Sequence, residues 1–149
     1  MMQHPATVLS LSDGGAHCGI ICDASFPTYM LTHWVRDRSR GKTLPLEQVV
    51  KMQTQDTARL YGLNDRGVLA PGMKADVNLI DFDRLKILPP EMVFDLPADG
   101  RRMIQRADGY RATIVSGIVT FENGQETGQM PGRLIRGPQA APTTALAAE

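Results

Sequence analysis

A short run near the start of the chain places the strongest constraint on what the chain can fold into. Residues 7–12 are β-branched, apolar or small, and the run stops at Asp13-Gly14-Gly15. A brief run of this kind that ends at glycines is typical of a buried strand that delivers a polar residue into a loop. Such a strand needs backbone partners on both sides. The next elements along the chain are predicted to be helices, which do not supply such partners. We therefore expect this chain to be a piece of a larger protein or to assemble with one.

Three helices are predicted after this strand. Apolar residues recur at helical spacing between Thr28 and about Arg40, and Pro27 lies near the first turn of that helix. A second helix is expected to begin near Pro45, and a third, short helix covers residues 55–61. The predicted order up to residue 63 is therefore strand, loop and three helices.

Strands and turns are predicted after residue 63. Residues 75–81 alternate polar and apolar side chains, residues 110–115 form another strand, and residues 117–121 continue it or follow a bend. Asn123-Gly124 is a strong hairpin signal, although no convincing return strand follows it. We expect long irregular connections between these strands, at Pro89-Pro90 and at residues 96–100.

Composition excludes several classes of protein. The 16 Lys and Arg balance the 16 Asp and Glu, which argues against a nucleic-acid-binding protein with its usual basic excess. No apolar run approaches the roughly 18 residues of a membrane helix, and the first residues do not resemble a secretory signal. We therefore expect a cytoplasmic protein that binds neither nucleic acid nor a membrane.

The stretch most indicative of chemistry is the Asp13 motif, Ser12-Asp13-Gly14-Gly15-Ala16-His17. A carboxylate at the end of a buried strand stands where barrel enzymes place catalytic groups, and the glycines allow close approach of the backbone to a ligand. Asp13 could equally cap the segment that follows it. His17 could be a metal ligand, a base or an ordinary loop histidine. The last is favoured because no second histidine stands at a metal-ligand spacing.

Other polar residues favour structural roles. Cys18 and Cys22 have three residues between them, which fits neither a zinc knuckle nor a redox CxxC pair, so we expect buried thiols. His33 is expected to pack beside Trp34. The cations at the end of the first helix are expected to form a solvated face: Arg36, Arg38 and Arg40.

The Asp13 motif is followed by residues 23–29 and later by residues 57–63, 65–76 and 131–134. Together these stretches resemble the N-acyl-D-amino-acid deacylases, or D-aminoacylases, of the amidohydrolase superfamily. The Gly-x-x-Ala-Asp stretch at residues 72–76 is shared by many amidohydrolases. The Asp13 motif together with Pro131-Gly132-Arg133 is narrower and points to the deacylase branch.

The resemblance implies an α/β fold that is only part of a whole. This chain would be the C-terminal portion of a (β/α)₈, TIM-like amidohydrolase barrel together with the C-terminal strands of its small β-sandwich domain. Residues 1–63 would hold the last barrel strand and the helices after it, residues 64–137 the β-sandwich segment, and residues 138–149 a disordered tail.

The resemblance also implies a zinc-dependent hydrolase that cleaves the linear amide bond of N-acyl-D-amino acids. Asp13 matches the carboxylate that takes a proton from a metal-bound water and passes it to the leaving amine, and it is a candidate zinc ligand. The remaining motif residues would bind substrate: Ser12, Gly14, Gly15 and His17. The family's His-x-His pair and its later metal ligands have no counterpart in this sequence. We therefore expect the isolated chain to be inactive.

Two alternatives to this interpretation stay open. The chain could be a non-catalytic subunit that pairs with a separate chain carrying the missing N-terminal barrel portion. It could also belong to a cyclic amidohydrolase that resembles the hydantoinases or dihydroorotases, although the Asp13 motif argues against that substrate class.

Overall fold

The computed structural model describes residues 1–10, 15 and 17–143. The chain divides into two compact units, and each is assembled from separate segments. Unit 1 contains residues 1–9, 50–79 and 111–149, and unit 2 contains residues 10–49 and 80–110. None of the helices among the described residues is both long enough and apolar enough to cross a membrane. The domain boundaries expected from the resemblance stay a prediction.

The three predicted helices are present. Helix α1 is Phe26–Tyr29 and continues directly into a π-helical segment, Met30–Asp37; α2 is Leu46–Gln53 and α3 is Gln55–Leu60. Pro27 lies in the first turn of α1, where the missing N–H of proline costs nothing. The apolar spacing therefore located these helices correctly, with small shifts at their ends.

Eight short strands follow the helices in the described part of the chain. They are β1 (Val77–Ile80), β2 (Lys86–Ile87), β3 (Glu91–Leu96), β4 (Gly100–Ile104), β5 (Ala107–Asp108), β6 (Tyr110–Val115), β7 (Ile118–Glu122) and β8 (Gln125–Glu126). They form a four-stranded sheet in the order β1-β6-β7-β8 and two separate pairs, β2 with β5 and β3 with β4.

Two-residue turns organise the four-stranded sheet. Antiparallel β6 and β7 are joined through Ser116-Gly117, and β7 and β8 through Asn123-Gly124. All four turn residues have positive φ, between 49° and 81°, as the tight turns that match strand twist require. Asn123-Gly124 is thus a hairpin turn as predicted, and its return strand is the two-residue β8.

The long irregular connections expected at Pro89-Pro90 and residues 96–100 are only partly present, because paired strands lie between and after them. Strands β3 and β4 form an antiparallel hairpin in which Met92 lies opposite Met103. A short 3₁₀ helix, Pro97–Asp99, joins the two strands, and Ala98 within it has φ 57°. A left-handed alanine is uncommon, so the sequence carries little signal for this turn.

The strand expected at residues 7–12 is absent from its described part, residues 7–10. All strands in the described ranges lie between Val77 and Glu126. A strand exists only where a neighbour accepts and donates its backbone hydrogen bonds. The barrel portion implied by the resemblance is therefore not confirmed by the described residues.

Fully buried side chains mark the core of unit 2. Leu85 and Val49 are completely inaccessible to solvent, and Leu31 and Leu44 are also buried. Thr28 in α1 is buried as well, and its hydroxyl shares a 2.8 Å hydrogen bond with the Tyr110 hydroxyl. Unit 2 therefore has a small apolar core that also contains the hydrogen-bonded hydroxyls of Thr28 and Thr32.

Candidate functional site

The Asp13 motif is only partly described. Ser12, Asp13 and Gly14 lie outside the described residues, and their roles stay predictions. Gly15 and His17 are described, and both are exposed. Both also have positive φ, 96° for Gly15 and 46° for His17. The backbone thus takes a left-handed course on each side of residue 16, which glycine accepts freely and histidine more often than most residues.

The chain turns tightly directly after the motif. The His17 carbonyl accepts hydrogen bonds from the N–H groups of Ile20, at 2.8 Å, and Ile21, at 3.0 Å. We call residues 17–21 the His17 turn. The imidazole of His17 is exposed, whereas its backbone carbonyl holds the turn. The described role of His17 is therefore to shape the loop.

The His17 turn lies against strand β4. The Met103 N–H donates a 2.6 Å hydrogen bond to the Cys18 carbonyl. A Cβ added at Gly19 would lie 3.8 Å from Nε and 3.9 Å from Cγ of Arg101. The Arg101 side chain therefore packs on the bare backbone of Gly19, and β4 fixes the position of the loop that follows the motif.

Arginines line the β3–β4 hairpin, and they differ in their partners. Arg102 donates from Nε and Nη2 to the two Asp95 oxygens, at 2.7 and 2.6 Å, and these hydrogen bonds lower the pKa of the Asp95 carboxyl. Arg106 donates to Glu91 at 2.8 Å. Arg101 is exposed and has neither an ion pair nor a hydrogen bond to its side chain among the described residues.

The helix after the motif is held by packing and by one arginine. His33 stacks on Tyr29 at 4.8 Å between ring centres and meets Trp34 edge-on at 5.4 Å, which confirms its predicted packing role.

The expectation of a solvated arginine face is wrong for two residues. Arg36 donates to the carbonyls of Phe82 and, at 2.8 Å, Leu85.

Arg38 is also engaged. Its guanidinium lies 4.2 Å from the centre of the Trp34 ring, and its Nε donates to the Arg40 carbonyl. The sequence pattern could not show this, because the partners of Arg36 lie 46 and 49 residues further along the chain. These two cations are therefore structural.

The described residues do not form a metal centre. No group of three or more His, Cys, Asp or Glu side chains that could hold a metal ion occurs in residues 1–10, 15 and 17–143. Cys18 and Cys22 are free thiols and are half-buried rather than buried. The His, Cys, Asp and Glu side chains of the described residues therefore do not supply the three protein ligands that a catalytic zinc takes.

Unit 1 contains a cavity of about 370 Å³ that sequence reasoning missed. The cationic residues that line it are Arg66, Lys74 and Arg133. Arg66 donates to Asp65 at 2.8 Å and to Asp76 at 3.3 Å, and Lys74 lies 3.3 Å from Asp76. The hydrogen bond from Arg66 lowers the pKa of the Asp65 carboxyl.

Asp76 closes this network. Its Oδ1 accepts a 2.8 Å hydrogen bond from the Ser116 N–H, at the turn between β6 and β7. The aspartate of the Gly-x-x-Ala-Asp stretch therefore caps a turn of the sheet, and two of the cavity's three cations are already neutralised. These contacts indicate a structural role for that stretch.

Comparison with known proteins matches one family. The model described as Amidohydrolase family covers residues 1–121. No solved structure matches the chain.

Several curated proteins are similar to part of the chain. A 5-methylthioadenosine/S-adenosylhomocysteine deaminase of Desulfitobacterium hafniense is 39% identical over 87 residues, which are 58% of this chain and 19% of that protein. An allantoinase of Solibacter usitatus is 28% identical over 62% of this chain and 21% of its own length. An adenine deaminase of Sinorhizobium fredii is 37% identical over 49% of this chain and 12% of its own length. The chain thus spans about a fifth or less of the curated relatives it matches.

Proposed function

Since this chain belongs to the amidohydrolase family, we propose that it is the C-terminal segment of a hydrolase that cleaves the amide bond of N-acyl-D-amino acids. The observation that carries the proposal is the Asp13 motif, which occurs within the matched residues 1–121. The presence of Pro131-Gly132-Arg133 in the same chain favours the deacylase branch over other members of the family.

The proposal assigns most of the catalytic centre to a part of the protein outside this chain. The chain spans 19% of the first relative, and its described residues hold no metal centre. Amidohydrolases are generally metal-dependent, and zinc is the metal that the resemblance implies. We propose that the missing barrel portion, in the same polypeptide or in a separate chain, supplies the ligands that Asp13 alone cannot.

This chain would contribute proton transfer and part of the substrate pocket. In the proposal, Asp13 accepts a proton from the attacking water and returns it to the leaving amine. Gly14 and Gly15 let the backbone approach the substrate, and the positive φ of Gly15 is consistent with such a loop. Ser12 and His17 complete the proposed contacts to the substrate.

A second candidate is a deaminase that removes the amino group of a purine nucleoside. It is favoured by the deaminase of Desulfitobacterium hafniense, which is 39% identical over 58% of this chain. Both candidates hydrolyse a C–N bond, so they differ in the substrate rather than in the class of reaction. The similar region is too short to carry the whole substrate pocket, since it is 19% of that deaminase.

The experiment that separates the candidates is a substrate panel offered to the complete, metal-loaded protein. We expect free D-amino acid to be released from N-acetyl-D-methionine, and much less from the L enantiomer. Release of ammonia from 5-methylthioadenosine would favour the deaminase, and opening of a hydantoin ring would favour a cyclic amidohydrolase. Either result without deacylation would contradict the proposal.

A further inference from the structure

The chain returns to the end of helix α3 through residues 138–142. The Gln139 N–H donates a 2.9 Å hydrogen bond to the Gly62 carbonyl, and the Gln139 carbonyl accepts a 3.1 Å hydrogen bond from the Asn64 N–H. Gln139 thus forms a parallel β-bridge with the chain that follows α3. We propose that residues 138–142 are a latch for the loop between α3 and β1, residues 61–76, and that this latch opens while unit 1 stays folded.

Two prolines of the latch pack on glycines of the loop. A Cβ added at Gly62 would lie 3.1 Å from Pro138 Cβ, and a Cβ added at Gly72 would lie 3.4 Å from Pro142 Cβ. Both glycines have positive φ, +70° and +82°, a conformation that residues with side chains rarely adopt. The glycines leave room for the proline rings, so the latch contacts the loop near its beginning and near its end.

The loop keeps its own shape through contacts that do not involve the latch. The Lys74 N–H donates a 2.8 Å hydrogen bond to the Asp65 carbonyl, and the Leu63 N–H donates one of 2.8 Å to the Ala58 carbonyl in α3. Gly67 lies against the same helix, since a Cβ there would be 3.1 Å from Ala58 Cβ. Opening of the latch therefore leaves the loop folded.

The latch makes a single bridge to the loop rather than a strand. In the described part of the chain, Gln139 makes the only backbone hydrogen bonds between the latch and the loop. Pro138 and Pro142 have no N–H, so they cannot extend this pairing into a ladder. A segment held by few hydrogen bonds opens locally at a lower free-energy cost than the whole unit. We therefore expect the latch to open before the loop does.

The latch also connects two segments that line the cavity of unit 1. Arg66 and Lys74 of the loop line that cavity, and so do Gly132 and Arg133, which precede the latch along the chain. A closed latch holds these two segments in place relative to each other. Its opening frees them to move apart, so the latch controls the width of the cavity.

Hydrogen exchange of the complete protein, read at single amides by mass spectrometry, tests the latch. The Asn64 N–H belongs to the loop but donates to the latch, whereas the Lys74 N–H donates within the loop. In the parent, the Asn64 amide should exchange faster than the Lys74 amide, because the latch opens first. Gln139→Pro removes the donor to Gly62 and should speed exchange at Asn64 by at least about tenfold, with a change of less than about twofold at Lys74.

Ala141→Pro is the matched control, because it places a proline in the same latch at an N–H that makes no backbone hydrogen bond within the described residues. It should leave exchange at Asn64 unchanged. Gly62→Ala is a second variant: its Cβ would crowd Pro138, so exchange at Asn64 should also speed up, although Gln139 is intact. Gly128→Ala is its control, since that glycine also has positive φ, +77°, with open space around it.

Four outcomes would overturn the inference. The first is unchanged exchange at Asn64 in a folded Gln139→Pro variant, and the second is an equal acceleration at Lys74, which would make the latch an inseparable part of the loop. The third is an effect of Ala141→Pro as large as that of Gln139→Pro. The fourth is a Gln139→Pro variant that does not fold, because unit 1 would then depend on a closed latch.

Discussion

The sheet strands β6 to β8 and the segment that carries the Asp13 motif differ in where their partners lie. The three strands pair with one another across two-residue turns, so each satisfies the backbone of the next within 17 residues. Residues 7–10 lead into the motif and form no strand. Local pairing thus forms the sheet, whereas residues 7–10, the described residues before the motif, form no strand, and we propose that their partners lie in another part of the protein.

Polar groups of unit 1 find their partners within the unit. The Asp65, Arg66 and Asp76 network is closed by contacts within unit 1. These polar groups therefore stabilise the fold.

The largest effect should come from the motif and should concern activity alone. Asp13→Asn removes the group proposed to carry the proton, so kcat of the complete protein should fall by about 10²- to 10⁴-fold. Asp99→Asn is the control, because Asp99 is an exposed carboxylate in a turn with φ 55°, which asparagine accepts. Equal rates for both variants, measured by amine release, would remove Asp13 from the mechanism.

Gly109→Ala should have the largest effect on stability. A Cβ at this position would lie 2.7 Å from Leu85 Cα and 3.0 Å from the Asp81 carbonyl oxygen, and φ is +102°. The free energy of unfolding should fall by about 2–4 kcal/mol in urea denaturation. Gly128→Ala has the same kind of backbone, φ +77°, with open space around it, so it should cost only about 1 kcal/mol. Similar losses would show that crowding at Leu85 is not the cause.

Arg36→Met tests whether that arginine is structural. The change removes the side-chain donor to the Leu85 carbonyl and one of two donors to the Phe82 carbonyl, which also accepts the Leu85 N–H, so we expect a loss of about 1–3 kcal/mol in the free energy of unfolding. Arg40→Met removes an exposed side chain of the same type and should change stability by less than about 0.5 kcal/mol. An Arg36→Met variant as stable as the parent would show that Arg36 belongs to the solvated helix end that the sequence predicted.

The smallest effect should be a pH dependence in unit 1. Arg66 lowers the pKa of Asp65 in the folded protein below its unfolded value near 4, so the pair stabilises the fold above about pH 4. That contribution is lost as the pH falls through the folded pKa. Because the pair is partly exposed, it is worth at most about 1 kcal/mol. The loss of melting temperature between pH 7 and pH 3 should therefore be slightly smaller in Asp65→Asn, and an unchanged difference would contradict the assignment.

Local patterns predicted the helices and the Asn123-Gly124 hairpin, because periodic apolar spacing and a two-residue turn are encoded within a few residues. The β3–β4 hairpin escaped prediction because its 3₁₀ helix, Pro97–Asp99, holds Ala98 in a left-handed conformation and contains neither glycine nor asparagine. Local signals are weak where the backbone conformation is unusual for the residue.

The candidate site was predictable only in part. The Asp13 motif was visible as a carboxylate followed by two glycines. Its resemblance to amidohydrolases indicated the family that the match over residues 1–121 shows. The contact of the His17 turn with strand β4 was not visible, because it depends on a hydrogen bond between Cys18 and Met103, which are 85 residues apart. Contacts of that range are set by tertiary folding and leave no periodic trace in the sequence.

The division of the catalytic centre between this chain and a missing portion is tested most directly by turnover of N-acetyl-D-methionine. The assay compares the purified 149-residue chain with the complete protein, both supplied with zinc at equal molar concentration. We predict release of D-methionine by the complete protein and none above the blank by the isolated chain. Turnover by the isolated chain, with zinc bound in stoichiometric amount, would contradict the account.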